Sequence, residues 1–140
     1  MYKVNIEPTE IFKALSDPTR LRILRVLVSM PNEEACLCDL TDALSEPEAN
    51  ISRHLKTLRN SGLLMAEKEG RMVYHRLVPT KESKLFYDTI AKLPDTNGDF
   101  KKDLFNFKVE LKNRSYDRCR RSNAKKGKNK GFEKGYKKYV

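Results

Sequence analysis

Two of the three cysteines in this 140-residue chain lie one residue apart, in residues 34–40 (EACLCDL). Thiolates are soft ligands, and they select thiophilic metal and metalloid ions. In an ideal helix, side chains two positions apart point about 200° away from each other. Cys36 and Cys38 could therefore bind one ion only if the backbone there is non-helical, or becomes so when the ion binds.

The thiols have two other interpretations, as small buried hydrophobic residues or as a redox pair. Catalysis by the pair has no support, because the sequence gives Cys36 no obvious His or Asp partner, and we expect the protein not to be an enzyme. The third cysteine, Cys119, is flanked by Arg118, Arg120 and Arg121. Their positive charges would stabilise its thiolate.

Composition indicates the cellular compartment of the protein and the kind of partner that it binds. No apolar run approaches the roughly 18 residues of a membrane span, and the first residues lack the apolar stretch of a secretory signal. We therefore expect a cytoplasmic protein with reduced thiols and no membrane partner. The net charge of +10 is concentrated in residues 120–140, which contain nine Lys or Arg and one Glu. This basic tail is expected to be disordered and either to attract phosphates or only to aid solubility.

Helical periodicity covers most of the remaining chain. A first helix is predicted from residue 7 to residue 15, and Asp17-Pro18 then begins a second one, with three arginines on its outer face: Arg20, Arg22 and Arg25. Two short helices follow, separated by a break at residues 45–47. The second of these begins at about residue 48 and packs through one apolar face: Ile51, Leu55 and Leu58. Two helices at this spacing are typical of a helix-turn-helix.

Residues 63–78 change to an alternating pattern, which predicts a β-hairpin with its tip near Gly70. Thr80 is expected to cap the next helix, and Asp99 to cap a last one. The predicted fold is mostly α with a small β-hairpin, a winged helix-turn-helix with an extra C-terminal helix and a basic tail. The expected division is a DNA-binding and dimerisation domain (residues 1–98), an amphipathic helix (99–119) and the tail (120–140).

Four stretches, in order, resemble the ArsR/SmtB family of metal-responsive repressors. They are similar to its N-terminal helices, metal-binding box, recognition helix and wing: IFKALSDPTRLRIL, CLCDL, ISRHLKTLRNSGLL and EKEGRMVYHRL. The resemblance covers about residues 9–78. It implies a homodimer, formed by the first helix and the helix after the wing, that binds double-stranded operator DNA with an inverted repeat. Two apolar sets could supply the dimer interface: Ile6, Ile11 and Phe12, with Leu85, Phe86 and Ile90.

The predicted recognition helix has a polar face for DNA. Arg53 and Lys56 lie opposite the packing face, with Asn50 and Ser52 beside them. Arg can bind guanine and Asn can bind adenine through paired hydrogen bonds, whereas Ser and Lys suit phosphates or base edges. Two further residues are DNA-contact candidates: His54, which could equally pack between helices, and Arg71 at the wing tip, which could enter a minor groove. His75 is expected to be structural.

The resemblance implies an inducer, and As(III) or Sb(III) fits the thiols best, because these ions favour three thiolates. Cys36 and Cys38 would supply two ligands. In many arsenic-sensing relatives a third cysteine follows closely, but here Cys38 precedes Asp39, Leu40 and Thr41, so Cys119 is the candidate third ligand.

Other functions stay open. A regulator that senses thiol redox state and a sensor of cadmium or lead would use the same cysteines. Zinc fits less well, because zinc-sensing relatives use Asp and His pairs in the dimer helices and residues 80–98 contain no His. A general nucleic-acid-binding protein driven by the tail is a further alternative.

Overall fold

The structure is a computed structural model that describes residues 7–113. The expectations for Ile6, Cys119 and the tail at 120–140 lie outside these residues. The helices are α1 (Pro8–Leu15), α2 (Pro18–Ser29), α3 (Leu37–Leu44), α4 (Glu48–Asn60), α5 (Lys81–Ala91) and α6 (Asp99–Asn113). The strands are β1 (Ala35–Cys36), β2 (Leu64–Glu69) and β3 (Met72–Leu77). Between residues 7 and 113, no helix has the length and apolar character needed to cross a membrane.

Side-chain caps fix where several helices begin. The Asp17 carboxylate accepts a hydrogen bond from the Arg20 amide at 3.0 Å, and Thr80 caps α5 as predicted. The expected cap of the last helix was wrong. Asp99 is the first residue of α6, whereas Asp95 accepts hydrogen bonds from the amides of Phe100 and Lys101 at 3.0 and 3.1 Å.

The helix-turn-helix consists of α3 and α4. Ser45 ends α3 in the left-handed conformation, with a φ of 55°, and Pro47 occupies the N-cap position of α4. The predicted packing face of α4 is confirmed, because its three apolar residues are at most 1% exposed: Ile51, Leu55 and Leu58. Burial of this face orients the opposite side of α4 towards solvent.

The wing is the antiparallel pair β2 and β3, joined through Gly70, whose positive φ of 63° suits the tight turn. The structure adds a third strand that the sequence did not predict. β1 pairs antiparallel with β3, in the order β1-β3-β2. A two-residue strand has no periodicity to detect, and burial on both faces removes the alternation that marks longer strands.

Helix α6 packs against α2 and α3 and shares their core. Phe107 is fully buried in the main hydrophobic cluster, and the Asn106 side chain donates to the Ala43 carbonyl at 3.1 Å. Asp103 is 1% exposed and accepts two hydrogen bonds from the Arg22 guanidinium, at 2.7 and 2.8 Å. This contact raises the pKa of Arg22. A bidentate pair of this kind ties α6 to α2.

The expectation that the arginines of α2 face outward was wrong for all three, because each is half-buried and hydrogen-bonds to another element. Arg25 donates to the carbonyls of Ile90 and Leu93 at 2.9 and 2.8 Å, and its guanidinium lies 4.9 Å from the centre of the Phe100 ring. Charged side chains therefore satisfy the carbonyl groups at the end of α5 and join the two C-terminal helices to α2.

Candidate metalloid site and nucleic-acid interface

Cys36 and Cys38 flank the point where strand becomes helix. Cys36 belongs to β1 and is the N-cap residue of α3, with extended backbone angles (φ −85°, ψ 168°), while Cys38 lies in the first turn of the helix. The ligand atoms of Cys36, Cys38 and Asp39 lie within 4.8 Å of one another. Cys36 lies outside the helix, whereas Cys38 lies within it. The extended backbone of Cys36 meets the condition of a non-helical backbone, and the two sulfur atoms approach each other.

The expectation of reduced thiols does not hold for Cys36 and Cys38 in this structure, where both are disulfide-bonded. Since the chain has three cysteines, two that are both bonded can only be bonded to each other within one chain. The approach of the sulfur atoms is therefore close enough for covalent chemistry. A dithiol at the same positions could bind one thiophilic ion.

The surroundings of the thiols link them to the wing. Cys36 is fully buried and forms a small cluster with Tyr74, against which Cys38 and Met72 pack. Cys38 is half-buried and lines a cleft of about 560 Å³ between α3, α4 and the wing. Ser52 and Arg71, both DNA-contact candidates, line the same cleft. A ligand at Cys38 would therefore lie beside the surface expected to contact DNA.

Asp39 was not predicted to belong to the site. Its carboxylate is 3% exposed and accepts a hydrogen bond from the Cys36 amide at 3.1 Å. Cys36 and Asp39 thus form a capping box at the start of α3. The sequence signal was weak, because the usual capping box has Ser or Thr at the N-cap and Glu or Gln three positions later, whereas Cys and Asp occupy these positions here.

The candidate DNA-reading side chains lie on the exposed face of α4. Ser52, Arg53 and Lys56 are exposed, and Asn50 is half-buried. Arg53 donates a hydrogen bond to the Asn50 side-chain oxygen. This contact holds the two residues that could bind base edges side by side. Arg71 is exposed next to the wing turn.

His54 was expected either to contact DNA or to pack between helices, and in the structure it packs between helices. It is 8% exposed, its Nδ1 lies 3.1 Å from Arg20 Nη1, and its Nε2 lies 3.8 Å from the Asp17 carboxylate. Burial lowers the pKa of His54, which favours the neutral ring as an acceptor for Arg20. Arg20 also donates to the Ala14 carbonyl at the end of α1. His54 thus fastens α4 to the junction of α1 and α2.

The other histidine, His75 on β3, is 4% exposed, and its Nε2 lies 2.7 Å from Arg59 Nη1 on α4. Burial, with the charge of Arg59, lowers the pKa of His75 to about 4. The ring is therefore neutral near pH 7 and accepts the hydrogen bond from Arg59. The sequence indicated a structural role for His75 but did not identify Arg59 as its partner.

A buried ion pair also joins the residue before β1 to the wing. Glu34 is 1% exposed, and its carboxylate accepts a hydrogen bond from Arg76 at 3.0 Å, while Glu67 on β2 lies 3.4 Å from the same nitrogen. Charge pairing of this kind supports the short β1 strand, which has few backbone bonds of its own.

The candidate dimer surface is smaller than the sequence suggested. Ile11 and Ile90 are core residues, at 0% and 1% exposure, so their expected place on this surface was wrong. Phe12 and Leu85 remain 63% and 70% exposed. Phe12 also stacks edge-to-face on the half-buried Phe86, with ring centres 5.7 Å apart. The exposed apolar surface of α1 and α5 therefore consists of Phe12, Leu85 and Phe86.

Comparison with known proteins gives this arrangement a family. A family model described as "Bacterial regulatory protein, arsR family" matches residues 17–65. The arsenical resistance operon repressor of Escherichia coli (strain K12) is 47% identical over 72 residues, which are 51% of this chain and 60% of that protein. A cadmium resistance regulator homologue (CadC) from Staphylococcus aureus is 40% identical over 72 residues, 51% of this chain and 58% of that protein. The chain thus spans about 60% of the length of these two relatives.

Two further matches cover a larger share of the matched protein. An HTH-type transcriptional regulator of Methanocaldococcus jannaschii, MJ1325, is 40% identical over 76 residues, 54% of this chain and 83% of that protein. The solved structure of reduced HlyU from Vibrio cholerae superposes with a TM-score of 0.54 at 27% identity, over 63% of this chain and 88% of that one. With its winged helix-turn-helix and this sequence similarity, the chain belongs to the arsR family of bacterial regulatory proteins.

Proposed function

We propose that this protein is a DNA-binding transcriptional repressor that leaves its operator when trivalent arsenic or antimony binds Cys36 and Cys38. The observation that carries the proposal is the convergence of the two sulfur atoms and the Asp39 carboxylate at the start of the helix-turn-helix. The relative from Escherichia coli, named as an arsenical resistance operon repressor, supports the same inducer.

Binding starts from the reduced dithiol, so a low-molecular-weight thiol must first reduce the Cys36–Cys38 disulfide and supply the two electrons and two protons. From the dithiol onward, the binding step needs no redox partner. Arsenious acid carries three hydroxyl groups on arsenic. Each thiol that forms an As–S bond gives its proton to a departing hydroxyl, which leaves as water. Two such exchanges occupy Cys36 and Cys38, and the third position goes to Cys119, the softer donor, or to the Asp39 carboxylate. Ligation would set the distance between Cys36 and Cys38, and so alter the first turn of α3.

Thiol oxidation is a second candidate trigger, favoured by the disulfide between Cys36 and Cys38 in this structure. Hydrogen peroxide would take two electrons from the dithiol, form the S–S bond and leave as two molecules of water. A solved structure similar to this chain is named as reduced HlyU.

Measurement of operator release distinguishes metalloid binding from thiol oxidation as the trigger. We expect arsenite and antimonite to release DNA from the reduced protein, in gel shifts under a low-molecular-weight thiol that keeps the dithiol reduced. Peroxide in the absence of that thiol is the comparison, and cadmium tests the ion named for the Staphylococcus aureus relative. Release by peroxide but not by arsenite would replace the metalloid proposal with the redox one.

For the DNA contact, we expect Arg53→Ala to weaken operator binding by about 1–3 kcal/mol, because a bidentate contact to guanine is worth that much. Lys56→Ala should weaken binding to all sequences alike and lower the salt dependence by about one counterion. Fluorescence anisotropy with operator and scrambled duplexes at several salt concentrations measures both effects.

The exposed Lys108 on α6 gives a matched control, since Lys108→Ala removes the same charge as Lys56→Ala from a helix that packs against α2 and α3. We expect it to leave operator affinity within about twofold of the parent, because Lys108 does not belong to the helix expected to contact DNA. Parent-like binding by both Arg53→Ala and Lys56→Ala would contradict the assignment of α4 as the DNA-reading helix.

For the dimer, we propose that Phe12, Leu85 and Phe86 form its centre. Leu85→Glu should produce monomers at micromolar concentration, because it buries a charge in an apolar interface. Phe105→Glu is the control, since Phe105 on α6 is 68% exposed, close to the 70% of Leu85. Light scattering should show a dimer for the parent and for Phe105→Glu. A dimeric Leu85→Glu variant would place the interface elsewhere.

A further inference from the structure

We propose that His75 is the positioning residue that transmits a change at Cys36 and Cys38 to the DNA-reading helix, through its hydrogen bond to Arg59. The inference rests on the proposed function, because it assumes that a thiol trigger releases DNA. It adds a physical route between the two sites that passes through the wing instead of through α3.

The first step of the route is the pairing of β1 with β3. Ala35 is the register partner of His75, and Cys36 is the register partner of Tyr74. Because β1 is two residues long, any change of backbone angle at Cys36 acts directly on these two positions of β3. The buried Glu34–Arg76 pair clamps the other end of the same segment to β3. Because both ends of this segment are held to β3, a change in the backbone at Cys36 shifts β3 as well.

The second step is the side chain of His75. It is 4% exposed, and its Nε2 is 2.7 Å from Arg59 on α4. Hydrogen bonds to a charged donor are short and directional, and a buried acceptor has no water to replace a lost partner. A shift of β3 relative to α4 must therefore either move Arg59 with it or break this bond.

Cys38 and the hydrogen bond between His75 and Arg59 lie at the same cleft. Cys38, Arg59, Met72 and His75 all line it, so a ligand on Cys38 would approach the bond from the open side. Arg59 lies on α4 six positions after Arg53, and α4 is a continuous helix between them. A displacement of Arg59 thus alters the position of the side chains that are expected to contact DNA.

The chain offers a matched pair for the experiment. His54 and Arg20 form a second histidine–arginine contact, at 3.1 Å, that also anchors α4 but does not touch β1 or β3. The variants are His75→Leu and Arg59→Met, the double variant, and His54→Leu as the control. Arg59→Met keeps most of the side-chain length on a half-buried site, so it tests the bond if His75→Leu does not fold.

The readout is the ratio of operator Kd with saturating arsenite to operator Kd without it. This ratio measures the coupling between the two sites, and it is unaffected by changes that weaken DNA binding equally in both states. We expect His75→Leu and Arg59→Met each to lower the ratio about tenfold, and the double variant to lower it no further. His54→Leu should weaken DNA binding in both states and keep the ratio within about twofold.

Arsenic uptake by each variant is followed by native mass spectrometry. If His75→Leu and Arg59→Met bind arsenic and keep the ratio of the parent, the route through His75 is wrong while the proposed function stands. The same holds if His54→Leu lowers the ratio as much as they do, because the effect would then belong to any anchor of α4. A parent protein that binds arsenic without releasing DNA would overturn the proposed function and the route with it.

Discussion

Cys36→Ser should abolish the response to arsenite while leaving operator binding intact. In the parent we expect saturating arsenite to raise the operator Kd by about a hundredfold, near the upper end of ordinary coupling between two sites. In the variant we expect a change of less than about twofold, because a hydroxyl is a poor ligand for a thiophilic ion. Titration of labelled operator by anisotropy, with and without arsenite, measures both values.

The substitution is selective for a local reason. Cys36 is the N-cap residue of α3, and serine is among the residues that helices prefer at this position. Cys36→Ser therefore removes the thiol while it preserves the start of the helix. Circular dichroism and thermal melting provide the control, with a melting curve close to that of the parent. A Cys36→Ser protein that still releases DNA with arsenite would remove Cys36 from the sensing site.

The largest effect on stability should follow from Asp103→Ala. The substitution leaves the Arg22 guanidinium, whose side chain is 19% exposed, without its bidentate partner. Loss of one partner of a buried ion pair costs about 3 kcal/mol. Because α6 is held to α2 and α3 by this contact and by Phe107, the loss should reduce the free energy of unfolding of the protein. Urea unfolding followed by circular dichroism measures it.

A surface ion pair supplies the matched control. Asp88 lies 3.8 Å from Lys84 on α5, and its side chain is 48% exposed. Asp88→Ala should change the free energy of unfolding by less than about 1 kcal/mol, as is usual for exposed pairs. If Asp103→Ala costs no more than Asp88→Ala, the Arg22–Asp103 contact does not hold α6 in place.

Periodicity was sufficient for the larger elements. The apolar positions of α4 and the alternation of β2 and β3 are long patterns, and the helix-turn-helix and the wing follow from them. Asp103 carried a weaker signal. It falls on the same face of α6 as Phe107, and a carboxylate there indicates a buried partner, but the sequence does not say that the partner is Arg22, 81 positions earlier.

The thiol site shows what sequence could not supply. The rule for helical geometry predicted that Cys36 and Cys38 would need a non-helical backbone, yet it could not show that β1 provides one. That strand exists because β3 offers it an edge and because Glu34 pairs with Arg76. Both contacts join residues about 40 positions apart, so neither leaves a local trace. His75 and Arg59 are 16 positions apart, and their contact likewise depends on how the wing packs against α4.

Uptake of arsenite by the reduced full-length protein is the most direct test of the central claim. Native mass spectrometry of the parent should show one arsenic bound per chain. The Cys36→Ser and Cys38→Ser variants should bind none, and Cys119→Ser and Asp39→Asn decide which residue is the third donor. A parent protein that binds no arsenic would contradict the account, whatever the behaviour of its variants on DNA.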